Sequence, residues 1–87
     1  MLFQPGQIVA TPGAMSLAER GLDIREYIQR HLNGDWGDLC EEDKAENNIS
    51  LEHGFRLLSA YETPLGKLWI ITEADRSVTT FLLPEEY

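Results

Sequence analysis

The chain has 87 residues, of which 43% are hydrophobic and 25% are charged, and its formal net charge is −8 with a pI near 4.5. This length fits one small domain over residues 1–87, and the composition is that of a folded globule and not of a disordered chain. The excess of acids disfavours direct binding to nucleic acid, because contact with a phosphate backbone uses lysine and arginine.

The first predicted elements are a short strand and a helix. The segment QIVA (7–10) is β-prone, and we expect it to be extended and to add a strand at the edge of a sheet. Thr11 and Pro12 then form a helix start, because threonine caps helix N-termini and proline suits the first helical position. The helix is predicted to run to about Arg20, with Gly21 as its stop.

The second helix has the clearest sequence pattern. Asp23 precedes it as a cap, and Gly34 ends it. Its hydrophobic stripe follows the spacing i, i+3, i+4, i+7 and i+8 of a helix with one buried face, and consists of Ile24, Tyr27, Ile28, His31 and Leu32. His31 is therefore predicted to lie in the core or at its boundary.

A third helix is predicted from about Leu39 to His53. Asp38 and Glu41 form a D-x-x-E pattern similar to a capping box, and Gly54 is the expected stop. The hydrophobic stripe of this helix is thin, and comprises Leu39, Ala45, Ile49 and Leu51. We therefore expect this helix to make a narrow contact with the rest of the domain and to leave most of its surface exposed to solvent. The two asparagines, 47 and 48, are a candidate position for a break in the helix.

The last third of the chain predicts strands. FRLLSAY (55–61), KLWIITE (67–73) and SVTTFLL (77–83) are rich in β-branched and aromatic residues and are separated by turn residues. This pattern predicts a C-terminal β-meander. The fold class is therefore α+β, with N-terminal helices packed on a three- to four-stranded antiparallel sheet and the second helix covering one face.

The residues carry no pattern typical of catalysis or of a cofactor. Cys40 is the only cysteine and lies beside acids, a setting that disfavours a reactive thiolate. The two histidines are too far apart in sequence to form a zinc motif, and there is no phosphate-binding loop. We expect no metal, no cofactor and no enzyme activity. With no secretory leader or membrane-spanning segment, a cytoplasmic protein is expected.

The segment GDWGDLCEEDKAEN (34–47) holds the main charge feature. Residues 34–53 contain seven acids and one base, which gives −6 of the total charge of −8. These carboxylates are either the solvated side of a helix or a negative face for a cationic partner. The candidate partner-binding residues are Asp35, Trp36, Asp38, Glu41, Glu42, Asp43 and Glu46. Trp36 either fills one end of the core or anchors a partner, because tryptophan is enriched at interface hot spots.

Four segments resemble a family of small bacterial proteins, usually labelled plasmid-related, that occur on plasmids, prophages and integrative elements. They are IVATPGA (8–14), GDWGDLCEEDKAEN (34–47), GFRLLSAY (54–61) and WIITEADRSVTTFLLPEEY (69–87). The resemblance implies no catalytic residues. It implies a setting on mobile DNA inside a bacterial host, where small acidic proteins such as anti-CRISPR and anti-restriction proteins often oppose host defence.

Two functional hypotheses follow. The first is an inhibitor that binds a basic, nucleic-acid-handling surface of a CRISPR or restriction complex, where carboxylates take the place of DNA phosphates. Because −8 is a moderate charge and is concentrated in one segment, we expect a local patch and not the imitation of a long duplex. The second is an accessory or regulatory interaction module, monomeric or dimeric through a sheet edge, in which a strand such as SVTTFLL matters more than the acids.

Overall fold

The computed structural model describes all 87 residues and contains four strands, three helices and a short 3-10 helix. In chain order the elements are β1 (Gln7–Ala10), α1 (Pro12–Glu19), α2 (Ile24–Leu32), α3 (Glu41–His53), β2 (Leu57–Thr63), β3 (Gly66–Thr72), β4 (Val78–Leu82) and the 3-10 helix Pro84–Glu86. The predicted α+β class is confirmed, with all three α-helices before β2 and three of the four strands in the last third of the chain.

The first two helices begin as the sequence predicts. The Thr11 side chain accepts a hydrogen bond from the Ala14 N–H, and Pro12 occupies the first helical position. Asp23 caps α2 by accepting from the Arg25 N–H at 3.1 Å. These side chains satisfy backbone donors that a helix leaves unpaired at its N-terminus.

The sheet has the strand order β1-β4-β3-β2. β2, β3 and β4 form the predicted antiparallel meander, but β1 pairs with β4 in the parallel sense. The sheet is therefore mixed, and the prediction of a purely antiparallel sheet is wrong in this respect. SVTTFLL forms β4, which is paired on both sides, so its backbone is not a free edge.

One face of the sheet forms the core with α1 and α2. Its inward side chains include Tyr61, Leu68, Ile70 and Phe81, which pack against Ala14, Leu17, Tyr27, Ile28 and Leu32. This confirms α2 as the cover of the sheet. The opposite face contributes nothing to this cluster: Ile71 and Leu82 are buried there, at 5% exposure each, but Leu58, Ala60 and Trp69 are only half-buried. We call it the open face.

The third helix packs differently from its prediction. It begins at Glu41, and its N-cap residue Cys40 makes no side-chain capping bond. Its buried side chains are Asn47 and Ser50, whereas Ile49 of the predicted hydrophobic stripe is 52% exposed. Asn47 does not break the helix. Its amide accepts from the Leu58 N–H at 3.2 Å and donates to the Leu58 carbonyl at 2.6 Å, which satisfies the outer edge of β2.

The C-terminal residues fold back onto the domain. The Glu86 carboxylate accepts from the Gly13 N–H at 3.0 Å and from the Thr11 hydroxyl at 2.5 Å, so it adds a second cap to α1. These bonds lower the pKa of Glu86, with the Thr11 hydroxyl as the main cause. The Tyr87 ring then meets the Trp69 ring edge-on on the open face, at 5.6 Å between centroids.

Candidate functional site

The acidic segment occupies the turn between α2 and α3 and the first half of α3. All six of its carboxylates are exposed: Asp35, Asp38, Glu41, Glu42, Asp43 and Glu46. Their contacts divide them into two groups. The two aspartates of the turn hold the fold together, whereas the acids of α3 point into solvent and make few bonds.

Asp35 is fixed by three neighbours. Its carboxylate accepts from Arg30 Nε at 2.7 Å and from the Gly37 N–H at 3.2 Å, and its backbone carbonyl accepts from the Tyr61 hydroxyl at 2.7 Å. The hydrogen bond from Arg30 is the main cause of the lowered pKa of Asp35. Arg30 also lies over the Tyr61 ring at 4.6 Å, so the guanidinium joins the turn to the sheet.

Asp38 does not cap α3, and the predicted capping box is wrong. Its carboxylate accepts from the Glu62 N–H at 2.8 Å, and its own N–H donates to the Ala60 carbonyl at 2.6 Å. The Ala60 N–H in turn donates to the Trp36 carbonyl at 3.1 Å. The turn thus pairs with the outer edge of β2 like a short fifth strand. Because Asp38 belongs to this pairing, α3 starts only after it, at Glu41.

Trp36 belongs to the core, with only 3% of its surface exposed. Its indole N–H donates to Asn48 Oδ1 at 3.1 Å, and its ring packs edge-on against His31 with centroids 5.8 Å apart. Trp36 therefore fills one end of the core, the first of its two predicted roles. The prediction that it is a partner-binding residue does not fit this burial, and we remove it from the candidate surface.

The acids of α3 form the exposed part of the charge feature. Glu41 Oε1 lies 3.8 Å from Lys44 Nζ, and such an exposed ion pair is weak. Glu42, Asp43 and Glu46 take part in no ion pair. Glu42 and Glu46 are four residues apart and Asp43 and Glu46 are three apart, so they share one side of the helix. Of these acids, Asp43 lies one turn before the buried Asn47, on the side of α3 that meets β2.

A groove of about 270 Å³ lies between the start of α3 and the open face. Trp69, Ala60 and Leu39 supply apolar walls, and Asp38, Asp43, Glu62 and Lys67 supply its charged groups. Sequence reasoning identified the two aspartates but missed Trp69 and Glu62. Both lie on strands and meet α3 only because the turn brings that helix to the β2 edge.

The buried face of the sheet holds a hydrogen-bonded chain that resembles a catalytic pair. Ser59 Oγ lies 2.5 Å from His31 Nδ1, and Thr72 Oγ1 lies 2.9 Å from His31 Nε2. Thr72 also contacts Thr79 Oγ1 at 2.7 Å, and Thr79 donates to the Pro5 carbonyl. All four side chains are 0% exposed. A substrate therefore cannot reach them, and these hydrogen bonds satisfy polar groups inside the core.

The directions of the bonds in this chain follow from the last one and from burial. A hydroxyl has one proton, and Thr79 gives its proton to a carbonyl, so Thr72 donates to Thr79. Thr72 must then accept from His31 Nε2–H. Burial favours a neutral imidazole, which has no second N–H, so Nδ1 accepts from Ser59. Burial lowers the pKa of His31 to about 4, and the positive charge of Arg76 adds to the effect.

Comparisons with protein-family models, curated protein sequences and solved structures give no match. None of the helices is long and apolar enough to cross a membrane. Among the histidine, cysteine and carboxylate side chains, no three come together as a possible metal site. The acidic surface and the groove beside it are therefore the features of the molecule that indicate a function.

Proposed function

We propose that this chain is a non-enzymatic inhibitor encoded by a bacterial mobile element, which acts in the host cytoplasm. Its acidic surface binds a basic, nucleic-acid-handling face of a defence complex of the CRISPR or restriction type. The binding surface consists of the exposed carboxylates of α3, Glu41, Glu42, Asp43 and Glu46, flanked by Asp35 and Asp38.

The observation that carries this proposal is how little the fold uses the α3 acids: Glu41, Glu42 and Asp43 favour the positive end of the helix dipole, but no acid of α3 makes a side-chain hydrogen bond. Folding explains Asp35 and Asp38, which hold the turn, but Glu42, Asp43 and Glu46 take part in no ion pair and their side chains are exposed. Like charges four apart on a helix cost stability by a few tenths of a kcal/mol. Such a cost is reasonable where a concentrated negative field attracts and orients a cationic partner.

Affinity capture from the bacterial host at low and high salt tests this proposal. The tagged protein should retain a nucleic-acid-handling complex at low salt and lose it as ionic strength rises, because exposed charges are screened. The triple variant Glu41→Lys, Glu42→Lys, Glu46→Lys should lose the complex. The matched control Glu19→Lys, Glu26→Lys, Glu85→Lys makes the same charge change at exposed acids elsewhere and should keep it.

Both triple variants should remain folded, with circular dichroism spectra like that of the parent. Lysine in the first turn of a helix costs roughly 0.3–1 kcal/mol per residue, which a folded domain can tolerate. Retention of the complex by the α3 variant, or its equal loss in both variants, would show that the acidic surface is not the binding face.

The alternative function is an interaction module that is dimeric through a sheet edge, and one observation limits it to β1. The β2 edge is occupied by the turn and by Asn47, whereas β1 has no partner on its outer side. Ile8 and Val9 of this strand are 50% and 37% exposed. Edge pairing depends little on salt, so a salt-resistant dimer that Val9→Lys dissociates would favour this function over the first.

A further inference from the structure

The groove between α3 and the open face has a net negative charge and one aromatic wall. Three carboxylates line it, Asp38, Asp43 and Glu62, against one ammonium group, that of Lys67. Lys67 Nζ lies 3.8 Å from Glu62 Oε1, and the two side chains are 66% and 61% exposed. An exposed pair of this kind is weak. The single charge of Lys67 balances only one of the three carboxylates, so the lining of the groove has a formal charge of −2.

We propose that this groove receives an arginine side chain of the protein partner; the proposal rests on the proposed function and adds the chemistry of recognition. A guanidinium is planar, stacks on an indole ring and offers several N–H donors in a fixed plane. Trp69 supplies the ring, and Asp43 and Glu62 supply acceptors on two sides of the groove. Each hydrogen bond between a guanidinium and a carboxylate is charge-assisted and stronger than a neutral one.

The size of the groove fits one side chain. Its volume of about 270 Å³ lies below the roughly 300–1,000 Å³ of small-molecule sites. Its carboxylates repel phosphates and other anions, so a nucleotide is a poor occupant. Asp38 is already engaged with the Glu62 N–H. This bond holds the wall of the groove in place before the partner arrives, and an arginine inserted here would lie beside the acids of α3.

Nuclear magnetic resonance titration of the full chain provides a direct test. The chain has two tryptophans, so two indole N–H signals report on different places. Trp69 lines the groove, and Trp36 is buried and bonded to Asn48, which makes it an internal reference. The probes are three blocked tripeptides that differ only in the central residue, which is arginine, lysine or the uncharged isostere citrulline.

The arginine peptide should shift the Trp69 signal saturably and leave the Trp36 signal in place, while citrulline should have no effect and lysine a smaller one. Asp43→Asn and Glu62→Gln should each weaken binding about tenfold, as expected for the loss of one charge-assisted bond. Glu26→Gln, which removes an exposed charge of α2 outside the groove and outside the acidic surface, should bind like the parent. An unmoved Trp69 signal, or equal shifts with arginine and citrulline, would overturn the proposal.

The two proposals can fail separately. The capture experiment changes Glu41, Glu42 and Glu46, none of which lines the groove, whereas the titration changes Asp43 and Glu62. If the complex is captured and Asp43→Asn retains it at full strength, the acidic surface stands and the arginine groove is wrong. If the groove binds the arginine peptide but no salt-sensitive complex is captured, the groove stands and the proposed function is wrong.

Discussion

Mild acid is expected to destabilise the protein through His31. Its imidazole is 0% exposed and neutral, with one nitrogen donating to Thr72 and the other accepting from Ser59. Protonation would place a charge in the core beside the cation of Arg76 and reverse the bond with Ser59. Burial, with a smaller contribution from Arg76, therefore lowers the pKa of His31 from 6.5 to about 4.

The difference between the two pKa values sets the size of the effect. Because the folded pKa lies below the unfolded value, the unfolded chain binds more protons between pH 6.5 and about 4. Stability is complete above this window and falls as the pH falls through it, by up to about 1.4 kcal/mol per pH unit and roughly 3 kcal/mol in total. Small domains have only about 5–15 kcal/mol of stability, so the loss is a large share.

Urea unfolding at several pH values between 7 and 4.5 measures this effect. The difference in unfolding free energy between the parent and His31→Gln should shrink steadily as the pH falls, because the variant has no imidazole to protonate. His53→Gln is the matched control, since His53 is exposed at the end of α3, and it should keep the slope of the parent. A parent stability that is the same at pH 5 and pH 7, or a slope that survives in His31→Gln, would refute the reasoning.

Three further substitutions test the contacts that place the acidic turn and helix. Gly37→Ala should destabilise the protein by about 3 kcal/mol or more in urea unfolding, because a Cβ would lie 2.0 Å from the Ala60 carbonyl oxygen at a φ of +79°; Gly21→Ala, at a φ of +104° with open space around it, should cost less. Asn47→Ala should cost about 2 kcal/mol, measured in the same way, since it leaves both backbone groups of Leu58 without their partner; a change below 0.5 kcal/mol would contradict this role. Arg76→Ala should lower the melting temperature and speed amide hydrogen exchange at the end of α3, because the guanidinium donates to four backbone carbonyls, one of them that of Ser50. Unchanged exchange there would show that Arg76 does not hold the end of α3 in place.

Local features of the sequence were enough to predict the first two helices and the meander. Thr11, Pro12 and Asp23 act on backbone groups within three residues of themselves, so their capping role follows from their neighbours in the chain. The stripe of α2 and the alternation of the strands likewise repeat with the period of their own elements. The same stripe predicts His31 in the core or at its boundary, and the structure places it in the core, at 0% exposure.

The direction of β1 and the role of Asp38 depended on distant residues. β1 runs parallel to β4, from which α1, α2, α3 and two strands separate it in the chain, and no pattern within QIVA records that direction. Asp38 has a sequence context typical of a cap, but its carboxylate bonds to Glu62, which is 24 residues away. The edge of β2 also has backbone groups that need hydrogen bonds, and here the Asp38 carboxylate satisfies one of them and not the start of α3.

The candidate site shows the same division. The sequence by itself determined that the negative charge is concentrated in residues 34–53, because the formal charge of a segment depends only on which residues it contains. Only the tertiary structure decided that Trp36 is buried, that Asp35 and Asp38 hold the turn, and that Asp43 lies across a groove from Trp69 and Glu62. Exposure and proximity between residues far apart in the chain arise from packing, because the turn at residues 36–38 bonds to the β2 edge and carries α3 to the sheet.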